Sequence, residues 1–293
     1  MTTLFPLEAS SPADAHVDFC LWDYAPPASP DGKLRPVNLL RHSLRGAGIG
    51  ARADEMVQAL RDGLGDMKTV WGVKQAGDTL AWEFYFYDYT RRARSRSMTR
   101  VLDLIRPWVG CNPDTRARIN EASDYFMFSL DFDAANLDHG RPLDEIQLYM
   151  GNPGSAVSSG ICYALRPDAL RMKNFYFFFD ARTQMRDIVG KITSSVFLDL
   201  ARFDLDALLW PELRDCQTIV VANKPTHDGI YFSRITIDQL LIFLARMRYP
   251  ADQLAFARQH RAGFDHLLFD VGIDYRMEDG QLKLLKSAYY GVF

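Results

Sequence analysis

The stretch DTLAWEFYFYDYT, residues 78–90, places Glu83 in the middle of a run of aromatic side chains. Successive side chains of a β-strand point to opposite faces, so this strand has one apolar face and one face that combines a carboxylate with phenol groups. The apolar face carries Leu80, Trp82, Phe84 and Phe86, and the other face carries Ala81, Glu83, Tyr85, Tyr87 and Tyr89. The mixed face is typical of an enclosed, partly polar cavity. The alternative is a half-exposed strand whose tyrosines cover a sheet edge.

Five pairs of strands are predicted along the chain, with helices recurring between them. The strand pairs are 68–74 with 80–89, 124–132 with 144–151, 160–165 with 170–179, 216–224 with 229–235, and 266–275 with 282–291. The helices are 37–44, 51–64, 95–108, 114–122, 184–198, 237–247 and 251–262. Successive hairpins give antiparallel neighbours, and a parallel α/β fold is disfavoured because its strands would be separated singly by helices.

A sheet of ten antiparallel strands with helices on one face can close into a barrel, which removes the exposed edges. The sequence therefore predicts an α+β fold, with a ten-stranded antiparallel barrel inside a ring of helices. We expect an extended N-terminal segment, residues 1–36, followed by one barrel domain, residues 37–293.

The mixture of polar and aromatic side chains recurs on the other strand pairs. The faces are Ser129 with Asp131, Glu145 with Gln147 and Tyr149, Met172 with Asn174 and Tyr176, Asp270 with Asp274, and Lys286 with Tyr290. Because such a face recurs from hairpin to hairpin along the chain, we interpret these side chains as the lining of the barrel.

Composition excludes several classes of protein. A formal net charge of −3 argues against a general nucleic-acid binder, which carries a basic surface to displace counterions. No apolar run approaches the roughly 20 residues of a membrane-spanning helix. The four cysteines form no CxxC pair, the first residues lack the pattern of a signal peptide, and the histidines lack the spacing of a zinc site, so we expect a cytoplasmic protein without a zinc centre.

Several stretches resemble strands of the soluble aromatic prenyltransferases with the ABBA barrel. They are TVWGVKQAGDTLAWEFYF at 69–86, YFMFSLDF at 125–132, IQLYMG at 146–151, KNFYFF at 173–178 and LLKSAYYG at 284–291. The resemblance spans roughly residues 51–291. It implies transfer of a prenyl group from an allylic diphosphate to an indole- or phenol-like acceptor inside the barrel.

The resemblance also implies roles for individual side chains. Tyrosines shield the allyl cation, and Glu83 orients the acceptor or, in metal-dependent members, helps to hold magnesium. The candidate catalytic residues are Glu83, Asp131 and Glu145; the candidate substrate-binding residues are Tyr85, Tyr149, Asn174, Tyr176, Arg234, Asp274, Lys286 and Tyr290. The expected cofactor is none, or Mg²⁺.

The chain departs from the family at the diphosphate site, where Gly72 and Glu145 stand in place of two usual cations. The candidate replacements are Lys74, Lys173, Arg234, Lys283 and Lys286. Two alternatives therefore stay open. One is a barrel enzyme that catalyses an acid–base cyclisation or isomerisation of an aromatic metabolite, and the other is a non-catalytic binder of such a metabolite.

Overall fold

The ten predicted strands form a closed antiparallel β-barrel in the computed structural model, which describes residues 6–90, 94–138, 140–153, 155 and 157–293. Residues 1–5 of the predicted N-terminal segment lie outside these ranges. The strands are β1 Thr69–Ala76, β2 Thr79–Tyr87, β3 Met127–Phe132, β4 Ile146–Gly151, β5 Ser159–Leu165, β6 Leu170–Asp180, β7 Thr218–Asn223, β8 Asp228–Ile235, β9 Phe269–Glu278 and β10 Gln281–Val292. The predicted α+β barrel is confirmed.

Every strand pairs with its neighbour in sequence, and pairing of β1 with β10 closes the barrel. The turns within the five hairpins consequently lie at one end, which we call the hairpin end. The first hairpin is tight because Gly77, at φ 57°, lies in a two-residue turn between Ala76 and Thr79. The opposite end, where β1 begins and β10 finishes, is called the helix end.

Nine α-helices are formed by the described residues. They are α1 Val37–Gly46, α2 Gly50–Leu64, α3 Met98–Ile105, α4 Pro113–Ala117, α5 Ala134–Asp138, α6 Met185–Thr193, α7 Ile237–Arg246, α8 Ala251–Gln259 and α9 Arg261–Phe264. Helices α4 and α6 end earlier than the sequence predicts. In α6 the side chains of Thr193 and Ser194 donate to the carbonyls of Val189 and Lys191, and such local bonds compete with the helix.

The apolar face of β2 meets the helices, as predicted. Trp82 and Phe84 are buried in a core that also contains Leu40 and Leu44 of α1. The Trp82 indole N–H donates to Ser43 Oγ at 2.8 Å, which fixes α1 against the strand. Glu83 and Tyr85 point the other way, into the barrel, so the enclosed arrangement is favoured over the sheet-edge alternative.

One predicted face is wrong at Met172. Cys162 pairs with Asn174 but Tyr163 pairs with Met172, so Lys173 is an extra residue in β6. Such a bulge interrupts the two-residue alternation, which places Met172 opposite Tyr163 and leaves it 55% exposed. Asn174 and Tyr176 lie beyond the bulge and keep their predicted place inside the barrel.

Candidate functional site

Five tyrosines encircle the barrel interior, one from each even-numbered strand. They are Tyr85, Tyr149, Tyr176, Tyr231 and Tyr290, and we call them the tyrosine belt. From Tyr290 through Tyr85, Tyr149 and Tyr176 to Tyr231, neighbouring ring centroids are 5.9, 6.3, 6.1 and 6.1 Å apart. The belt forms an aromatic ring around the lumen.

Each belt tyrosine lies beside a small residue of the following strand. The pairs are Tyr85 with Ser129, Tyr149 with Cys162, Tyr176 with Ala222, Tyr231 with Gly272, and Tyr290 with Gly72. A Cβ added at Gly72 would lie 2.7 Å from the Tyr290 ring. The space that a side chain at position 72 would need is therefore occupied by the Tyr290 ring.

We expect Gly272→Ala to destabilise the protein by about 1–3 kcal/mol, the usual cost of overpacking a core. The new Cβ would lie 2.2 Å from the Tyr231 ring, whose movement is restricted by Tyr176. Urea unfolding measures the loss. Gly190→Ala in α6 is the control, because no described atom beyond the adjoining residues and the local helix backbone lies within 4 Å of the added Cβ, and alanine favours a helix by up to about 1 kcal/mol. Equal stability of Gly272→Ala and the wild type would contradict the packing of the belt.

Glu83 lies just above the belt and is held by three donors. Lys74 Nζ lies 2.8 Å, the Tyr85 hydroxyl 2.7 Å and Ser129 Oγ 2.5 Å from its carboxylate. Burial opposes ionisation, but the Lys74 charge and these hydrogen bonds outweigh it and lower the pKa of Glu83 to about 2. Only 3% of the residue is exposed, and three protein donors already surround its carboxylate, so little of it is open to a hydrogen-bond donor from a ligand.

Asp131 is the more exposed of the two carboxylates that contact Lys74. Its side chain is 38% exposed, while one oxygen lies 2.5 Å from Lys74 Nζ and the other accepts from Gln147 at 2.8 Å. Burial and the neighbouring Glu83 charge raise the pKa of Asp131, although Lys74 opposes the shift. An accessible carboxylate of raised pKa has the properties of a general base.

Three cationic or titratable side chains converge on Asp274 at the hairpin end. Lys224 Nζ lies 2.5 Å, Lys286 Nζ 3.2 Å and His227 Nε2 3.2 Å from the Asp274 carboxylate. We call Lys224, Lys286 and His227 the mouth cluster. Burial lowers the pKa of Lys224 to about 8, in spite of Asp274. Lys286 is 36% exposed at its side chain and is the most accessible member.

The remaining predicted residues occupy different places. Glu145 lies just before β4, where Lys173 and Arg166 both contact its carboxylate at 2.5 Å. Burial disfavours the charged form of Glu145, but these two cations outweigh burial and lower the pKa of Glu145.

Asn174 lies inside the barrel and donates to the Tyr176 hydroxyl at 2.8 Å. Lys283 is exposed at the start of β10.

Arg234 lies apart from the mouth cluster, at the helix end. It is the extra residue of a bulge in β8, with φ 63°. Its guanidinium donates to Asp18 at 2.8 Å and to the carbonyl of Asp23 at 3.1 Å. In this structure its partner is the N-terminal segment rather than the mouth cluster.

Sequence reasoning missed Lys224 and Tyr231. Lys224 directly follows β7 on the face of Val220 and Ala222, and Tyr231 alternates with Gly229 and Ser233 in β8. Continuing the two-residue pattern through these strands would have found both.

Magnesium does not fit between Glu83 and Asp131. The ammonium of Lys74 lies 2.8 Å from the Glu83 carboxylate and 2.5 Å from the Asp131 carboxylate, so it occupies the position between them that a metal ion would need. The described ranges contain no group of three or more His, Cys, Asp or Glu residues arranged to hold a metal ion.

Comparison of the sequence with protein-family models and with curated proteins found no match. None of the helices in the described part of the chain is long and apolar enough to cross a membrane.

Proposed function

We propose that this barrel is of the ABBA type and transfers a prenyl group from an allylic diphosphate to an indole- or phenol-like acceptor. The observation that carries the proposal is the position of the mouth cluster over the tyrosine belt. Lys286 and Tyr290 are four residues apart on β10, which is about 13 Å along a strand. This arrangement offers cations to a leaving group and aromatic rings to an apolar chain within one lumen.

The mouth cluster is proposed to receive the diphosphate. Negative charge develops on a diphosphate as it leaves, and cations already fixed at that place stabilise the transition state. Lys286 is partly exposed and lies farther from Asp274 than Lys224 does, so it can turn toward a ligand most easily. Lys224 and His227 stay behind it as further donors.

The tyrosine belt is proposed to shield the allyl cation. An aromatic face stabilises a desolvated cation by up to about 2 kcal/mol. The hydroxyl of Tyr85 donates to Glu83 and that of Tyr176 accepts from Asn174, so both rings are held in defined orientations. Asp131 is proposed as the base that takes the proton from the prenyl acceptor, because its carboxylate is more exposed than that of Glu83 beside the belt.

The proposal is tested by the thermal shift with dimethylallyl thiolodiphosphate, and by diphosphate release from dimethylallyl diphosphate with indole and phenol acceptors. A ligand at 100 times its Kd stabilises a protein by about 2.7 kcal/mol, which raises Tm measurably. Removing a charge-assisted hydrogen bond costs about 1.5–3 kcal/mol, so we expect Lys286→Met to weaken binding about tenfold to a hundredfold. Lys283→Met is the matched control on the same strand. No thermal shift, with or without Mg²⁺, contradicts the proposal.

A second candidate is an acid–base cyclisation or isomerisation of an aromatic metabolite. It is favoured by the pairing of Lys74 with Glu83 and Asp131, and of Lys224 and Lys286 with Asp274, which leaves little net positive charge for a diphosphate. Turnover of an aromatic ligand without diphosphate release would support this candidate. A non-catalytic binder would show a raised Tm with aromatic ligands but no turnover of them.

A further inference from the structure

A short hairpin before α1 closes the helix end of the barrel. Residues His16–Tyr24, which we call the stopper, are held by a bridge between Val17 and Asp23. The side chain of Asp18 accepts from the backbone N–H groups of Cys20 and Trp22, at 2.9 and 3.0 Å. Val17, Phe19 and Leu21 of the stopper pack against the interior cluster that contains the belt tyrosines.

Phe19 is the part of the stopper that reaches the belt. Its ring centroid lies 4.9 Å from that of Tyr85 and 5.1 Å from that of Tyr290, with edge-to-face angles of 70° and 76°. Tyr87 is a third neighbour, at 6.3 Å. Phe19 therefore lies on the side of the belt remote from the mouth cluster.

Polar contacts hold the stopper to the strands. The Phe19 N–H donates to Asp270 at 3.2 Å, Arg234 donates to Asp18 at 2.8 Å, and the Tyr89 hydroxyl donates to the Cys20 carbonyl at 2.9 Å. None of these bonds uses the Phe19 ring. The ring can consequently be shortened while the backbone of the stopper keeps its attachments.

We infer that Phe19 is a specificity-determining residue that sets the depth of the lumen and so the longest apolar chain that a ligand anchored at the mouth can insert. The inference rests on the proposed function for the position of the anchor. A chain that enters past Lys286 meets the belt after about 13 Å of strand and then meets Phe19. Each methylene that enters the lumen strengthens binding by up to about fourfold, and this gain stops once the chain reaches the Phe19 ring.

The test measures binding of butyl, octyl and dodecyl phosphate to the wild type, Phe19→Ala and Phe19→Trp by calorimetry. In the wild type we expect affinity to rise from butyl to octyl and to stay level for dodecyl. Phe19→Ala is expected to bind dodecyl phosphate at least about tenfold more tightly than octyl phosphate, and Phe19→Trp to level off at a shorter chain. Trp22→Ala is the control, because Trp22 belongs to the stopper but is 60% exposed.

The corresponding n-alcohols separate this inference from the proposed function. They lack the phosphate, so they report the depth of the lumen alone. In one outcome, the Phe19 substitutions change the chain length at which alcohol affinity levels off, while the phosphates bind no more tightly than the alcohols. That result supports Phe19 as the residue that limits the depth of the lumen and contradicts the diphosphate site. The same limit in all variants of both series, or no dependence on chain length, overturns the inference.

Discussion

Lys74→Met is expected to destabilise the protein by about 3–5 kcal/mol, the usual result of removing one partner from a buried ion pair. Lys74 is the shared cation of two carboxylates, Glu83 at 2.8 Å and Asp131 at 2.5 Å, and its own side chain is 11% exposed. Burial disfavours its charge, but Asp131 and Glu83 outweigh burial and raise the pKa of Lys74. Without the lysine, two neighbouring carboxylates repel each other inside the barrel. Urea unfolding at pH 7 measures the loss.

The variant should also change the pH dependence of stability in a defined direction. When Lys74 is absent, burial and mutual repulsion raise the folded-state pKa of Glu83 above its unfolded value. The folded state then binds more protons than the unfolded state, so the stability of Lys74→Met increases as the pH falls from 7 toward 5. Adding Glu83→Gln should recover part of the loss, since one of the two charges is gone.

Lys173→Met is the matched control for Lys74→Met. Lys173 also contacts a carboxylate, that of Glu145, but it is 36% exposed and Arg166 contacts the same carboxylate. Exposed pairs contribute about 0–1 kcal/mol. Equal losses of unfolding free energy in Lys74→Met and Lys173→Met would show that the Lys74 ion pairs contribute no more to stability than an exposed pair. That result would contradict the buried arrangement of charges described above the belt.

Much of the barrel lining was predictable from the sequence, because the side chains of a regular strand alternate between the two faces of the sheet. Glu83 with Tyr85, and Ser129 with Asp131, follow that repeat through unbroken strands, and their interior position is correct. Bulges at Lys173 and Arg234 each add one residue, which inverts the alternation locally. A bulge depends on tertiary packing as well as on local sequence, so the positions of Met172 and Arg234 were not predictable in this way.

The charge pairing inside the barrel was less predictable than its lining. Lys224 and Asp274 are 50 residues apart, and they meet because β9 pairs with β8, which follows β7 directly. The contact of Phe19 with the belt depends likewise on barrel closure, since Tyr85 and Tyr290 come from strands on either side of β1. Spacing along the chain carries no signal for such contacts.

In the proposed prenyl transfer, Asp131→Asn is expected to reduce turnover about a hundredfold to ten-thousandfold, the usual contribution of a general base. Asn is nearly isosteric with Asp, and its one carbonyl oxygen can accept from Lys74 or from Gln147, but it cannot take up a proton from the prenyl acceptor. Steady-state diphosphate release, with an indole or phenol acceptor that the wild type uses, measures the loss. The thermal shift by dimethylallyl thiolodiphosphate should persist, because Asp131 is outside the mouth cluster.

The pH profile distinguishes loss of a base from loss of structure. A base must be ionised, so wild-type kcat/KM should fall as the pH is lowered through the pKa of Asp131, which burial and Glu83 raise above the ordinary aspartate value. This fall of kcat/KM at low pH, the acidic limb of the profile, should be absent in Asp131→Asn. Glu145→Gln keeps the limb, because Lys173 and Arg166 already hold the Glu145 carboxylate. Turnover of Asp131→Asn within tenfold of the wild type, with an unchanged acidic limb, would remove Asp131 from the reaction and leave a base still to be found along the same lumen.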